Sequence, residues 1–249
     1  MKRFTYAILA LMMLFSIAGC STPAEQTSEP TASEPAASEP AAASDVVVFT
    51  DAVLERMVRE QMEKPEGDIT LAEAAEVGSL TLDLEWQPDI PEETQIKDIS
   101  ALQYFVNLEQ LSFNNHAVSD LSPLAGLVKL RGLAFANNPV SDLTPLSGLT
   151  ELRGLVMYSN QATDFSPLQN LVNLNTLMIG YSTFSDLSLL AGMKDLGTLY
   201  IDNTQVSDLT PLANLTNLKV LRLAGSLVTD YSPIADIYPN LTEKDFEMP

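Results

Sequence analysis

Residues 206–223 read VSDLTPLANLTNLKVLRL, and the first seven letters have already occurred: residues 140–146 are VSDLTPL and residues 118–124 are VSDLSPL. The aspartate of this phrase belongs to a column, Asp98, Asp120, Asp142, Asp164, Asp186, Asp208 and Asp230, whose members stand 22 residues apart without slip. Three leucine-rich columns keep the same phase. They are Leu102, Leu124, Leu146, Leu168, Leu190, Leu212 and Ile234; Phe105, Leu127, Leu149, Leu171, Met193, Leu215 and Ile237; and Leu111, Leu133, Leu155, Leu177, Leu199 and Leu221. Two residues beyond the last column lie Phe113, Phe135, Met157, Ile179, Ile201 and Leu223. Chance does not hold so many columns in phase over seven turns of chain. Apolar residues two apart mark a strand with one apolar face. A unit this short cannot bury that face alone, so units stack and share a continuous core. Parallel strands joined in this way need right-handed crossovers. The expected class is α/β: a right-handed solenoid with a parallel β-sheet on its concave face and short helical or 3-10 turns on its convex face.

The phrase itself parses as a corner. Ser122, Thr144, Ser166, Thr210 and Ser232 each precede a proline, the cap-then-first-position signature of a helical turn. Ser188-Leu189 lacks the proline and predicts a looser turn. Gly126, Gly148, Asn170, Gly192, Asn214 and Asp236 follow, residue types that tolerate a left-handed backbone and are expected to end each turn in that conformation. The aspartates are expected to accept backbone N–H bonds in Asx-type turns. Collection of Ca²⁺ by the stacked carboxylates is the alternative.

These columns resemble the leucine-rich repeat of the 22-residue internalin type, LxxLxLxxNxIxDIxPLxxL, over about Val46 to the C-terminus. The resemblance implies a binding domain with no cofactor, no metal and no reaction of its own. One family column is eroded: where the repeat calls for Asn, this chain has His116, Asn138, Asn160, Ser182, Thr204 and Ser226. His116, the sole histidine, therefore reads as a substitute in a buried amide ladder and not as a catalyst.

Both ends need caps, since an open solenoid exposes its core. DAVLERMVREQM, residues 51–62, sets Leu54, Met57, Val58 and Met62 at helical spacing behind Asp51. Thr70 and Glu73 form a capping-box pattern. LTLDL at 80–84 supplies a first strand, and EGDITLAEA followed by SLTLDL resembles the N-terminal cap of internalin-like proteins. The spacing from Leu84 to Ile96 is 7 residues longer than that from Phe113 to Val118, which makes EWQPDIPEETQ an insert. Its tryptophan, Trp86, is expected to cover the core of the cap, with exposure on a functional loop as the alternative. Tyr238-Pro239 breaks the repeat by one residue, and Leu241 and Phe246 are expected to plug the last turn.

The chain begins with Met1-Lys2-Arg3 and an apolar run from Ala7 to Gly19, a secretory leader too short for a confident membrane span. Ile17-Ala18-Gly19-Cys20 resembles the bacterial lipobox, which implies lipidation of Cys20 and an extracytoplasmic, lipid-anchored location at the bacterial cell surface. Ser-Glu-Pro recurs at 28, 33 and 38 in a stretch without large apolar residues, which reads as a disordered tether. The expected organisation is a leader at 1–19, tether at 20–45, N-terminal cap with first strand and insert at 46–95, repeats at 96–237 and a C-terminal cap at 238–249.

A formal net charge of -20 disfavours nucleic acid and direct adhesion to anionic lipid heads. One Cys and one His leave thiolate metal cages, metal hydrolysis and Ser-His-Asp chemistry short of parts. Function must then lie where the repeat stops repeating. Residues alternating with the core leucines face the concavity, and the early ones are small: Ser112, Gly132, Ala134 and Ala136. Later positions carry Val156, Tyr158, Met178, Tyr200, Asp202 and Arg222, with Tyr181 at the edge. Tyr and Arg are common interface anchors, and Met adapts to irregular partners. This strip is the candidate site for a protein partner. A glycan is the alternative ligand, a scaffold without ligand the third reading, and a monomer the expected state.

Overall fold

The computed structural model describes residues 45–248. The leader, Cys20 and the tether up to residue 44 lie outside the described residues. The described chain opens with α1 (Ala52–Gln61) and α2 (Leu71–Glu76). Eight strands follow: β1 (Ser79–Thr81), β2 (Gln110–Ser112), β3 (Gly132–Ala134), β4 (Gly154–Val156), β5 (Thr176–Met178), β6 (Thr198–Tyr200), β7 (Val220–Arg222) and β8 (Glu243–Lys244). They form one parallel sheet in chain order, and 3-10 turns such as Thr144–Gly148 and Ser166–Asn170 carry the chain back between strands. This is the solenoid expected from the columns. The Leu102 and Phe105 columns are almost fully buried, as are both columns that carry the strands' apolar side chains.

Each aspartate of the repeated phrase accepts the backbone N–H two residues on, at 2.7–2.9 Å, from Ser100, Ser122, Thr144, Ser166, Ser188, Thr210 and Ser232. The Asx reading therefore holds at all seven corners. Hydrogen bonding from the Ser or Thr favours the ionised carboxylate and holds five of the aspartates below the usual range, the hydroxyl leading at Asp142, Asp186 and Asp208 and the N–H at Asp164 and Asp230. The proline-free corner also closes, as a 3-10 turn over Leu187–Leu190 capped by Asp186, so the aspartate alone suffices.

The left-handed residues are not where the sequence placed them. The Gly126 column is not left-handed; positive φ occurs instead at Asn115, Asn137, Ser159, Tyr181, Asn203 and Gly225, a second column with the same 22-residue spacing. The convex turns unwind through residues such as Phe105, Leu149 and Leu171 (φ near −86°, ψ 52–57°), whose N–H bonds back three residues. No reversal of hand is needed there. It is needed where the chain leaves the sheet, three residues past each strand from β2 to β7.

Neighbours from β2 to β7 are offset by 22 residues. β8 follows β7 by 23, so the slip expected at Tyr238-Pro239 is present and delivers an eighth strand. Leu241 is buried, and Phe246 stacks on Tyr231 with ring centroids 5.3 Å apart. At the other end Leu80 pairs with Leu111, an offset of 31. The sequence comparison had set Leu84 opposite Phe113. The structure sets Leu82 there, its N–H donating to Ser112 O at 2.7 Å, which lengthens the insert by two residues. Leu84 instead begins the outward turn, and its carbonyl accepts from Asn115 Nδ2 at 2.7 Å.

Trp86 also departs from expectation. It is 63% exposed, because Leu54, Val58, Ile69 and Ala74 already close the core of the cap. The insert is braced on itself by a 3-10 turn at Glu92–Thr94 and by Gln95 Nε2 donating to Ile90 O. Asp51 joins cap to repeats. Its Oδ1 accepts the N–H groups of Val53 and Leu54 at the start of α1, and its Oδ2 accepts those of Lys97 and Asp98. The capping box at Thr70 and Glu73 is complete, and Lys64 pairs with Glu73 at 2.6 Å. That ion pair, with the Thr70 bonds, holds the Glu73 carboxyl down to about 2.

His116 occupies the amide-ladder position and is buried. Its Nδ1 accepts the Ile96 N–H at 3.0 Å, so Nε2 carries the proton that faces Leu82 O. Asn138 makes the same two links one turn later, with Oδ1 accepting from Val118 N–H and Nδ2 donating to Phe113 O. The imidazole is thus a functional replacement for the amide.

Candidate partner-binding surface

The strand register sets Ser112, Ala134, Val156, Met178, Tyr200 and Arg222 side by side in one row across the concave face. Backbone bonds continuing the ladder set a second row beside it: Asn114, Ala136, Tyr158, Gly180, Asp202 and Ala224. Steps along a row are about 4.8 Å, the strand spacing. The structure therefore brings Val156, Tyr158, Met178, Tyr200, Asp202 and Arg222 onto adjacent positions of one surface. All six are half-buried, standing on the sheet and not beneath it. Tyr181 sits apart, in the left-handed column where the loops leave the sheet, at φ 53° and 44% exposed.

The rows are not electrostatically uniform. Arg222 lies over the Tyr200 ring at 5.2 Å and its Nε is 3.8 Å from Asp245 Oδ2. The Tyr200 hydroxyl donates to Glu243 Oε1 at 3.4 Å. Burial, and then Glu243, push the Tyr200 phenol up. Asp245 also accepts the N–H groups of Leu223 and Ala224 and so finishes the ladder at the end of the sheet. The C-terminal segment thus ties down the Arg222 end of the strip without covering the rest.

Around Tyr158 the arrangement is open. Its row neighbours are Ala136 and Gly180, the smallest side chains available. Asp202 leans across Gly180: a Cβ built on that glycine would meet Asp202 Oδ1 and the Asp202 carbonyl, each at 2.8 Å. Burial pushes the Asp202 carboxyl up, against weaker lowering by its own N–H, by Asn203 and by Arg222. Burial also raises the Tyr158 phenol, and the negative charges of Asp83 and Asp202 add to the shift by opposing a phenolate. Asp83 is held by Ser112 Oγ at 2.9 Å and by the Asn114 N–H and Nδ2 at 2.6 and 2.8 Å.

No family model matches the sequence, and a search of curated proteins finds no match. Solved structures do match. Internalin C2 from Listeria monocytogenes aligns over 84% of this chain and 99% of its own, at 28% identity and a TM-score of 0.60. The chain has the internalin-like leucine-rich-repeat fold. A leucine-rich-repeat protein of Leptospira interrogans shares the fold, at 20% identity and a TM-score of 0.57 over 72% of this chain and 51% of that one.

In an internalin-like solenoid the curved sheet is a ready interaction surface, since each repeat presents a few outward positions that vary without disturbing the core. Among the described residues no group of three His, Cys, Asp or Glu side chains converges as a metal site. No described helix is long and apolar enough to cross a membrane. Sequence reasoning missed Asp83, Glu243 and Asp245, which set the charge around the strip. The slip at Tyr238-Pro239 signals Asp245, level with Arg222 at an offset of 23, whereas Asp83 comes level with Asn114 only at the structure's offset of 31.

Proposed function

We propose that this protein is a surface-anchored lipoprotein, tethered through a lipid on Cys20, whose internalin-like solenoid captures a protein partner on its concave face. The observation that carries the reading is the contrast along two rows. Ser112, Asn114, Ala134 and Ala136 give way to Val156, Tyr158, Met178, Tyr200, Asp202 and Arg222, although nothing in the repeat's core requires the change. Half-buried Tyr and Arg side chains on a rigid sheet are low-entropy contact groups. Lipid and tether account for the leader, the lipobox-like Ile17-Ala18-Gly19-Cys20 and the Ser-Glu-Pro segment. The solenoid's role is binding without catalysis, and the partner engages one copy of the chain.

The test is affinity capture from secreted and host-surface fractions, run in parallel with a glycan array. The triple variant Tyr158→Ala, Tyr200→Ala, Arg222→Ala is expected to lose the captured protein while its thermal unfolding moves little. Undiminished capture by that variant sinks the concave-face reading, and array signal without protein capture transfers the site to glycan.

A further inference from the structure

Resting on the concave-face reading, we infer that the partner inserts an arginine or lysine side chain beside Tyr158, onto the Asp202 carboxylate. The chain contains a finished version of the same arrangement one row away. There an aromatic ring, Tyr200, a carboxylate, Asp245, and a cation, Arg222, complete one another at 5.2 and 3.8 Å. Around Tyr158 the ring and the carboxylates are present, and Arg222 acts on Asp202 only weakly, from its place over Tyr200. Both Asp83 and Asp202 act on the Tyr158 hydroxyl, so its surroundings are negative from two sides. Arg222, the one cation among the strip's outward positions, is committed to Tyr200 and Asp245.

Four features favour a cationic side chain over other occupants. The ring face attracts a cation through its quadrupole. Ala136 and Gly180 leave the ring without bulky row neighbours, which gives a long side chain access. Asp202 is half-buried with its carboxyl pushed up by desolvation, so it gains from an incoming positive charge what solvent no longer supplies. A formal net charge of -20 draws a basic partner toward this face and repels acidic ones. Asp83 contributes field and not contact, since three donors already occupy it.

The probe is an alternating glycine–arginine octapeptide, compared with its citrulline counterpart, which keeps the shape and drops the charge. Full-length protein in detergent is titrated by calorimetry and by carboxyl-carbon NMR. The arginine peptide is expected to bind about ten-fold or more tightly than the citrulline peptide, and Asp202→Asn or Tyr158→Ala to remove about that factor. Tyr158→Phe keeps the ring and should retain binding within about two-fold. Glu151→Gln, an exposed acid off this surface, should do the same. Binding should also lower the Asp202 titration midpoint. Equal binding of the citrulline peptide, no binding of the arginine peptide, or an equal loss in Glu151→Gln overturns the inference. If the triple variant still abolishes partner capture in that case, the concave-face reading stands alone. If the triple variant captures undiminished, that reading has failed by itself.

Discussion

Replacing His116 tests how the solenoid's first turns are held. Its Nδ1 receives the Ile96 N–H and its Nε2–H faces Leu82 O, and the ring is buried. His116→Ala orphans one buried donor and one buried acceptor, each costing about 1–3 kcal/mol, so a loss of about 2–6 kcal/mol is expected. His116→Asn should recover all but about 1 kcal/mol, because Asn138 makes the corresponding two bonds in the next turn. The pH dependence follows from the same geometry. Burial holds the imidazole below its ordinary value of 6.5, outweighing its bond to Leu82 and the pull of Asp83 and Asp51. Below pH 6.5 the unfolded chain takes up a proton that the folded chain refuses. Stability is therefore full above that pH and falls toward the lower folded value, at most about 1.4 kcal/mol per pH unit. The depressed aspartates contribute only at lower pH, and the raised Asp202 carboxyl is common to wild type and variant, so the difference between them from pH 7.5 to 5 isolates the histidine. Urea unfolding across that interval should slope in the wild type and be nearly flat in His116→Asn. Parallel slopes, or an alanine variant within about 1 kcal/mol of wild type, refute the ladder assignment.

Asp51→Ala removes the acceptor of four backbone N–H groups and should cost about 1–3 kcal/mol, with loss of α1 protection in hydrogen exchange. Those bonds outweigh the effect of burial and hold the Asp51 carboxyl below 3.8, so its contribution persists above that pH and fades as pH falls through the folded value; Asp51→Asn should lose that acid dependence. Gly126→Ala meets nothing within 4 Å and has no positive φ, so it should stabilise by about 0.4–1 kcal/mol, and destabilisation would reinstate the left-handed turn end. Gly180→Ala drives a Cβ to 2.8 Å from the Asp202 carbonyl and should cost about 1–3 kcal/mol in thermal unfolding, a neutral result placing the Asp202 backbone elsewhere. Tyr181→Gly relieves a left-handed tyrosine and should raise stability by about 1 kcal/mol; a lower melting temperature argues against strain there.

The columns were legible because burial is all-or-none at them. A charged residue in the Leu102 or Phe105 column would break the core, so those letters repeat. The capping aspartates were legible for a related reason: one short side chain spans the two residues to the Ser or Thr N–H, and few alternatives do. The left-handed column was not legible because Asn, Ser, Tyr and Gly share no side-chain chemistry. What they share is a backbone angle, which polar composition signals only weakly. Gly126 and its equivalents show the opposite failure, since small residues there reflect an exposed bend and not a required φ. Trp86 was misplaced because sequence alone does not show whether the core of the cap is still open to a ring from the insert. The structure shows Leu54, Val58, Ile69 and Ala74 filling it already.

The candidate surface follows another logic. Sequence alternation located its residues, but their energetics depend on neighbours that local spacing hides. Asp83 and Asp245 reach the strip only because the first and last intervals are 31 and 23 residues instead of 22. Those two irregular turns close the solenoid, and they also set its field, satisfying Arg222 at one end and leaving Tyr158 between carboxylates at the other. Tyr181 adds the converse case. It keeps a bulky ring where every other member of the column is Asn, Ser or Gly, at a cost of about 1–2 kcal/mol for a left-handed residue with a Cβ. Non-glycine residues held in a left-handed backbone concentrate at functional positions. Tyr181 is therefore the rim residue to pair with Tyr158 in capture experiments. If Tyr181→Gly stabilises the fold and weakens capture together, strain has been retained there for binding. If it stabilises and leaves capture whole, the partner footprint ends at the sheet.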